Sequence, residues 1–440
     1  MTEHKKPTIA IIGAGVTGMS AAWDLVRAGY EVTIYEAGQT VGGLAGGFRE
    51  ARWDWSVEKF YHHWFQSDAH LLGLLDELGL RANALFPRPY TVIYHNDRWY
   101  PFDSIPHALA FPGLGWGLDK VRFGLVGLYL RLTKNWQALE RFSAHEWMRR
   151  WAGVRAYETM WEPMLEGKFG PYYKQVNMAW FWARIHARTT RLGTYRGGFQ
   201  QFLDDFAERL RTQGVRIHLN CPVTRIVPDA AGGLSLRVDG QPRQYDRVLS
   251  TTSPSLMADL TPDLPPDYLQ GLRSLKSLGA VVLVLSIKQR LSEQGYYWFN
   301  IPKSAGFPFL ALVEHTNFLP PEHFNGEHIL YCGDYLPADH EYFRMSPAEL
   351  QARFVPAIQR INPRFSADWI NQTWLFREPY AQPVPFINHS RNIPALQTPL
   401  PGLYFASMSH VYPWDRGTNF AVELGRRVAG LIQADGLPAR

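Results

Sequence analysis

The run Thr8-Ile9-Ala10-Ile11-Ile12-Gly13-Ala14-Gly15-Val16-Thr17-Gly18 decides the fold. Its first five residues form a short apolar stretch bounded by glycine, the texture of a strand buried on both faces. The glycines that follow at Gly-x-Gly-x-x-Gly spacing open a helix in which Val16, Met19, Ala22, Leu25 and Val26 recur at helical intervals. Gly13 permits the tight turn, Gly15 lets a pyrophosphate approach the backbone, and Gly18 lets helix and strand pack closely, with Val16 and Thr17 in the anion-binding first turn. The helix ends at Ala28-Gly29, a second strand runs from Glu31 to Tyr35, and Glu36 closes it 18 residues past Gly18. A carboxylate there accepts both ribose hydroxyls of an adenosine and repels a 2′-phosphate, and Ala37 follows as the chain turns away. Strand, turn, helix, strand and terminal acid in one register predict the dinucleotide-binding unit of a doubly wound α/β fold, against the blander reading of a glycine-rich turn that binds nothing.

Composition bounds the rest. The chain has 440 residues, 46% of them hydrophobic and only 19% charged, enough apolar material for a large core. Aromatic residues make 14%, which fits either an aromatic-rich core or an enclosed flat ligand. Cys221 and Cys332 cannot make a disulfide framework or a four-cysteine metal site, and this usage suits a reducing cytoplasm. The 15 histidines show no His-Glu-x-x-His or other ligand spacing, so no metal is expected. The net charge of +5 falls in singles and pairs rather than one basic block, which argues against nucleic-acid binding. Met1 to Lys6 is polar and an apolar strand follows at once, leaving no room for a secretory leader. The most membrane-like stretch, Phe111 to Leu132, is interrupted by Asp119, Lys120 and Arg122 and is not expected to span. With Trp116, Phe123, Leu125, Val126, Leu128, Tyr129 and Leu130 beside Lys120, Arg122 and Arg131, it suits peripheral contact with a bilayer surface or a cap over a substrate cavity.

Val41-Gly42-Gly43-Leu44-Ala45-Gly46-Gly47-Phe48 adds two glycine pairs just after Glu36, where backbone must pass close to a second bulky group. Here the chain resembles the FAD-dependent amine oxidase superfamily, which includes protoporphyrinogen oxidases, phytoene-type desaturases and UDP-galactopyranose mutases. The resemblance implies FAD as cofactor, with Gly42 and Gly43 along the pyrophosphate and ribityl chain. Leu44 stands where many members have an arginine. The segment Tyr195-Arg196-Gly197-Gly198-Phe199, a helix from Gln200 to Gln213 and Pro222-Val223-Thr224-Arg225-Ile226 resemble the return of the chain to the FAD domain, with the backbone at Val223 flanking the adenine and a strand from Tyr245 to Thr251 completing the visit. The strand Pro401 to Ser407, a loop Met408 to Gly417 and a helix from Thr418 or Asn419 to Gln433 look like the closing motif, whose last helix points its positive N-terminus at the flavin pyrimidine edge. Ala406-Ser407 replaces the usual Gly-Asp or Gly-Glu, and Asp415, in a loop with Gly417, is the nearest substitute for the ribityl-binding acid.

The resemblance further implies a glutathione reductase-type FAD domain built from residues 1–85, 195–271 and 395–440, with an interleaved α+β substrate domain from 86–194 and 272–394. Within the latter, strands are expected at Ala280 to Ser286, Tyr296 to Phe299 and Ile329 to Cys332, with a helix from Pro347 to Ile361 begun by Ser346. Glu58-Lys59-Phe60-Tyr61-His62-His63-Trp64-Phe65 sits where the superfamily places a segment against the flavin ring, so His62 and His63 are candidate donors to the flavin or proton carriers near neutral pH. Trp180, Arg184 and Arg188 fall at i, i+4, i+8 on one helix face, suited to clamping a phosphate or carboxylate; a tryptophan core with solvated arginines is the plainer alternative. Candidates for chemistry are therefore Lys59, His62, His63 and Arg184, acting on a small-molecule substrate. With no Gly-x-Ser-x-Gly elbow and no paired cysteines, the leading expectation is oxidation of a C–N or C–C bond of a hydrophobic or ring-containing molecule by hydride transfer to flavin N5. A mutase-like isomerase acting on a nucleotide sugar without net redox is the alternative, and a flavin-bound carrier without turnover the third.

Overall fold

A computed structural model describes residues 6–115, 117–186, 191–229 and 232–436; Trp116 and Arg188 lie outside the described residues. Five parallel strands form one sheet: β1 (Thr8–Ile12), β2 (Glu31–Tyr35), β3 (Arg216–His218), β4 (Arg247–Ser250) and β5 (Leu403–Phe405), in the order β3-β2-β1-β4-β5. This is the order of a mononucleotide-binding half, in which ligands sit beyond the carboxyl ends of the strands where the order reverses, between β1 and β4. All of β1 after Thr8 is buried: Ile9 and Ile11 pack into a helical core on one face, and Ala10 and Ile12 share a core with Ile226, Leu236 and Met257 on the other, so this parallel sheet has no wet side.

Helix α1 (Val16–Arg27) buries Met19, Ala22 and Leu25 against the sheet. Beside it lies the closing helix (Thr418–Ala434), and glycine sets their distance: a Cβ on Gly425 would stand 2.5 Å from the Thr17 carbonyl oxygen and 2.8 Å from Ser20 Cβ. The helix Phe199–Thr212 buries Phe199, Phe202, Leu203, Phe206 and Leu210 from one stripe, each contributing roughly 2 kcal/mol of apolar transfer.

The second large sheet has seven strands, in the spatial order Ile370–Pro383, Ser277–Ile287, His328–Leu336, Ala311–Glu314, Tyr296–Asn300, Tyr90–His95 and Arg98–Pro101. Ser277–Ile287, paired on both sides, is buried along nearly its whole length, and the helix Pro347–Ile361 packs Leu350, Phe354 and Ile358 into the same core. That helix starts in a capping box between Ser346 and Glu349, a feature worth about 1 kcal/mol. A separate meander of three strands, Val223–Pro228, Leu234–Val238 and Gln241–Tyr245, extends from the first sheet.

Three sequence expectations change. The strand expected from Tyr245 to Thr251 is two: the meander strand ends at Tyr245 and β4 begins at Arg247. Asp246 is the corner, its carboxylate accepting from the Thr8 amide at 2.8 Å and the Thr8 hydroxyl at 2.9 Å. The interval 86–194, in which no strand is named above, supplies Tyr90–His95 and Arg98–Pro101, and the first of these pairs parallel with Tyr296–Asn300 from the other interval. The longest strand, Ile370–Pro383, escaped notice because its residues are mostly half-buried and show no clean two-residue alternation.

Candidate active site

The turn after β1 is built as its residues predict. Gly13 has φ +105°, open to glycine at little cost, and a Cβ there would meet Thr251 Oγ1 at 2.5 Å. A Cβ on Gly18 would come within 2.2 Å of the Gly13 carbonyl oxygen, whereas one on Gly15 would meet nothing within 4 Å. The turn is therefore tight on its protein side and open at Gly15, where α1 begins with no acidic residue in its first turn. Gly42, with φ +118°, bridges to Gly15 and donates its N–H to the Ala14 carbonyl at 2.8 Å, so the second glycine pair lies directly against the first turn. Glu36 accepts from the Ala14 amide at 2.8 Å and the Gly38 amide at 2.7 Å, and each carboxylate oxygen keeps a lone pair for a further donor. Ala37 is exposed beside it. The Asn220 and Cys221 amides donate to the Gly38 and Glu36 carbonyls at 2.9 Å, which brings the chain leading to Val223 alongside the acid.

Beyond this cradle a recess is lined by Leu44, Phe60, Tyr61, His62, Asp334, Tyr335 and Arg416. It lies between the Gly42-Gly43 turn and the loop that enters the closing helix. His62 Nδ1 bonds the Phe60 carbonyl oxygen, and burial, with the Arg416 guanidinium adding to it, pushes the imidazole down to about 4. A ring held that low is neutral near pH 7, which favours the hydrogen-bonding role expected of His62 over that of a proton carrier. His63 points elsewhere: its Nε2 meets the Tyr297 hydroxyl and its ring packs on Trp298 and Phe318. Lys59 is held by its N–H to the Gly46 carbonyl at 3.1 Å. Burial pushes Asp334 up to about 7, against the pull of Lys303 at 3.9 Å. A carboxyl titrating near neutrality in a recess is a functional candidate on physical grounds.

A second recess shares Arg416 and passes Trp180, Trp414 and Asp415. At its heart Asp415 accepts four bonds: from Lys168 Nζ at 2.7 Å, Arg184 Nη1 at 3.0 Å, Trp180 Nε1 at 3.3 Å and the Arg416 amide at 3.1 Å. Burial alone would raise its pKa, but Lys168, Arg184 and Arg416 outweigh that and hold the carboxyl well below the usual carboxylate range. The Arg416 side chain donates instead to neutral acceptors, Gln382 Oε1 at 3.0 Å and the Tyr335 hydroxyl. Three cations thus surround one carboxylate, with Lys168, Arg184 and Asp415 only 12%, 18% and 21% exposed. Burial, resisted by Asp415 and reinforced by the two arginines, pushes the Lys168 ammonium down. Surplus positive charge under low-dielectric walls attracts an anionic group.

A family model for flavin-containing amine oxidoreductases matches residues 16–433. The chain belongs to that family. FAD is the cofactor that membership brings, and the cradle fits it: the open face at Gly15, the apposed glycine pair, the acid at the end of β2 and a closing helix with neither a first-turn acid nor a side-chain cap. Among curated relatives, a candidate zeta-carotene desaturase of Synechococcus elongatus is 30% identical over 179 residues, 36% of this chain and 37% of its own; the chain thus spans little more than a third of that relative's length. Among solved structures, a candidate protoporphyrinogen oxidase from Exiguobacterium sp. 255-15 superposes with TM-score 0.78 at 19% identity, covering 98% of this chain and 100% of its own. Reduced UDP-galactopyranose mutase superposes with TM-score 0.73 at 16% identity, covering 97% and 94%. At these identities the likeness is one of fold.

Two assignments within the flavoprotein site change. Asp415 is not available as the ribityl-binding acid, because its oxygens are taken by Lys168, Arg184, Trp180 and the Arg416 amide. Asn419 turns its Oδ1 to the Leu71 amide at 3.1 Å, so its side chain fastens the closing helix to the helix Ala69–Glu77, while Thr418 is buried and Gly417 is the N-cap. Four residues went unremarked as site residues in the sequence. Lys168 stands between Gly167 and Phe169, and Arg416 lies in the loop Met408 to Gly417, between Asp415 and Gly417. Asp334 and Tyr335 carry no local signal: they reach the recess through their place on the strand His328–Leu336.

Proposed function

We propose that the protein is an FAD-dependent oxidoreductase that removes a hydride and a proton across a C–N or C–C bond of a small, largely apolar or ring-containing molecule bearing an anionic group. The observation that carries this reading is the pair of recesses meeting at Arg416, one reaching the glycine cradle and the other holding the Lys168–Asp415–Arg184 cluster. Bound FAD supplies the two-electron acceptor. Arg416, with Lys168 and Arg184 behind it, binds and orients the anionic group. Trp180, Trp414 and Tyr335 give apolar walls that exclude water and hold the ring or chain. Neutral His62 offers a fixed hydrogen-bonding edge, and Asp334 takes the proton. The chain divides accordingly into a cofactor part (1–85, 195–271, 395–440) and a substrate part (86–194, 272–394).

Anaerobic mixing with amines, porphyrinogens and polyenes tests the reading. A true substrate bleaches the visible flavin band in one turnover, and the rate rises with pH through about 7 as Asp334 ionises. Asp334→Asn should flatten that limb. A flavin that no candidate of these classes reduces would count against the proposal.

The same cationic cluster favours a second reading, a flavin-dependent isomerase of nucleotide sugars, since a diphosphate carries the charge the cluster lacks. Incubating the reduced protein with UDP-galactopyranose decides it: an unchanged ratio of ring forms rejects the literal version.

A further inference from the structure

We propose that the helix Leu118–Leu132 and the ground beside it form a docking face for an anionic lipid bilayer, on which the protein lies without crossing it. Leu118, Val121, Leu125, Leu128 and Leu132 recur at intervals of three and four and are all exposed, Leu118 at 85%, Leu125 at 61% and Leu132 at 68%. Such spacing makes one continuous stripe, about 22 Å long at the α-helical rise. Stripes of this kind normally face a core. Here the core-facing side is the other one: Leu130 is buried, Phe123 stacks on Trp161, and Trp182 Nε1 donates to the Thr133 carbonyl at 3.0 Å. Leu109 and Trp151, whose carbonyls accept from Lys120 and Arg122 of this helix, widen the exposed apolar surface.

Charge selects the occupant. Residues 105–155 contain eight Lys and Arg against three Asp and Glu, a surplus of five that equals the net charge of the entire chain. Glu158, just past this stretch, offsets part of the surplus by pairing with Arg149 at 3.1 Å, and on the helix itself Lys120, Arg122 and Arg131 stand against one acid, Asp119. Arg122 bonds the Trp151 and Arg150 carbonyls, and the Arg150 guanidinium lies over the Trp151 ring at 5.5 Å, so cations and aromatics stand together as they do at a membrane interface. A second copy of the chain is a poor occupant, because a two-fold contact through this face would set the basic rim against itself. An anionic bilayer supplies both the apolar layer and the opposite charge. Among the described residues no helix is long and apolar enough to cross a membrane, consistent with lying on the surface.

Co-sedimentation of the flavin-loaded protein with vesicles tests this. Binding to vesicles of mixed phosphatidylcholine and phosphatidylglycerol is expected, at least tenfold weaker on pure phosphatidylcholine and weakened by salt. Leu125→Glu/Leu128→Glu, exposed and so compatible with an unchanged melting temperature, should lose binding at least tenfold while keeping its flavin. The proposal is overturned by wild-type protein that stays in the supernatant with both vesicles, by a double variant that binds as well as wild type, or by a wild-type dimer in light scattering that the double variant converts to a monomer without any vesicle binding.

Discussion

Gly18→Val should yield a protein that is purified without flavin and unfolds at markedly lower denaturant than wild type. The new Cβ would lie 2.2 Å from the Gly13 carbonyl oxygen and 3.2 Å from Ile11 Cγ2. The first of these is backbone in the tightest part of the turn, so no side-chain rotation relieves it. Either α1 lifts from β1, opening the contacts of Met19 and Leu25 with the sheet, or Gly13 moves and the turn that faces the pyrophosphate is lost. Overpacking of this kind costs about 3 kcal/mol or more, and the cofactor-linked part of the stability disappears with it. Denaturant midpoints and the flavin-to-protein absorbance ratio measure the two effects. Gly15→Ala is the matched control: its Cβ meets no protein atom within 4 Å, so it should fold normally and weaken only cofactor retention. Wild-type flavin content in Gly18→Val would refute the packing role given to Gly18.

Asp415→Asn should destabilise the protein by about 3 kcal/mol near pH 7, the cost of leaving buried charge without its partner. Arg184 and Arg416 would face each other with no anion between them, and Lys168, which burial already pushes down to about 7, would lose the acceptor that holds its proton. The pH dependence is specific. Asp415 titrates below the roughly 3.9 of an unfolded aspartate, so its contribution is fully present above about pH 4 and is lost as pH falls through that range. The gap between wild type and Asp415→Asn should therefore narrow below pH 4. Lys168→Met/Asp415→Asn should recover part of the loss, because a buried amine left without its acceptor is gone. A gap that is absent at pH 7, or that stays constant on acidification, would show that the cluster is not held as described.

What the sequence made legible follows from range. Strand, glycine turn, helix and acid from Thr8 to Glu36 are specified by contacts within some thirty residues, and their boundaries emerge as read. The closing helix is equally local, with Gly417 before it and an apolar stripe along it. The Asp415 cluster is not local: Lys168 and Arg184 reach it across 247 and 231 positions, and without them the loop position alone made Asp415 look like a ribityl ligand. The two neighbouring histidines divide for a similar reason, since Tyr297 and Trp298, far along the chain, hold His63 away from the recess that His62 lines. Asp334 is visible only in space, as an acid on a strand whose neighbours are apolar.

The most direct test of the account is the identity and amount of flavin released when the purified protein is denatured. The cradle formed by Gly13, Gly15, Gly18, Glu36 and the Gly42-Gly43 turn predicts FAD, not FMN, at about one per chain, with Glu36→Ala retaining much less. A colourless protein that takes up no FAD on incubation, or one that carries FMN, would contradict it.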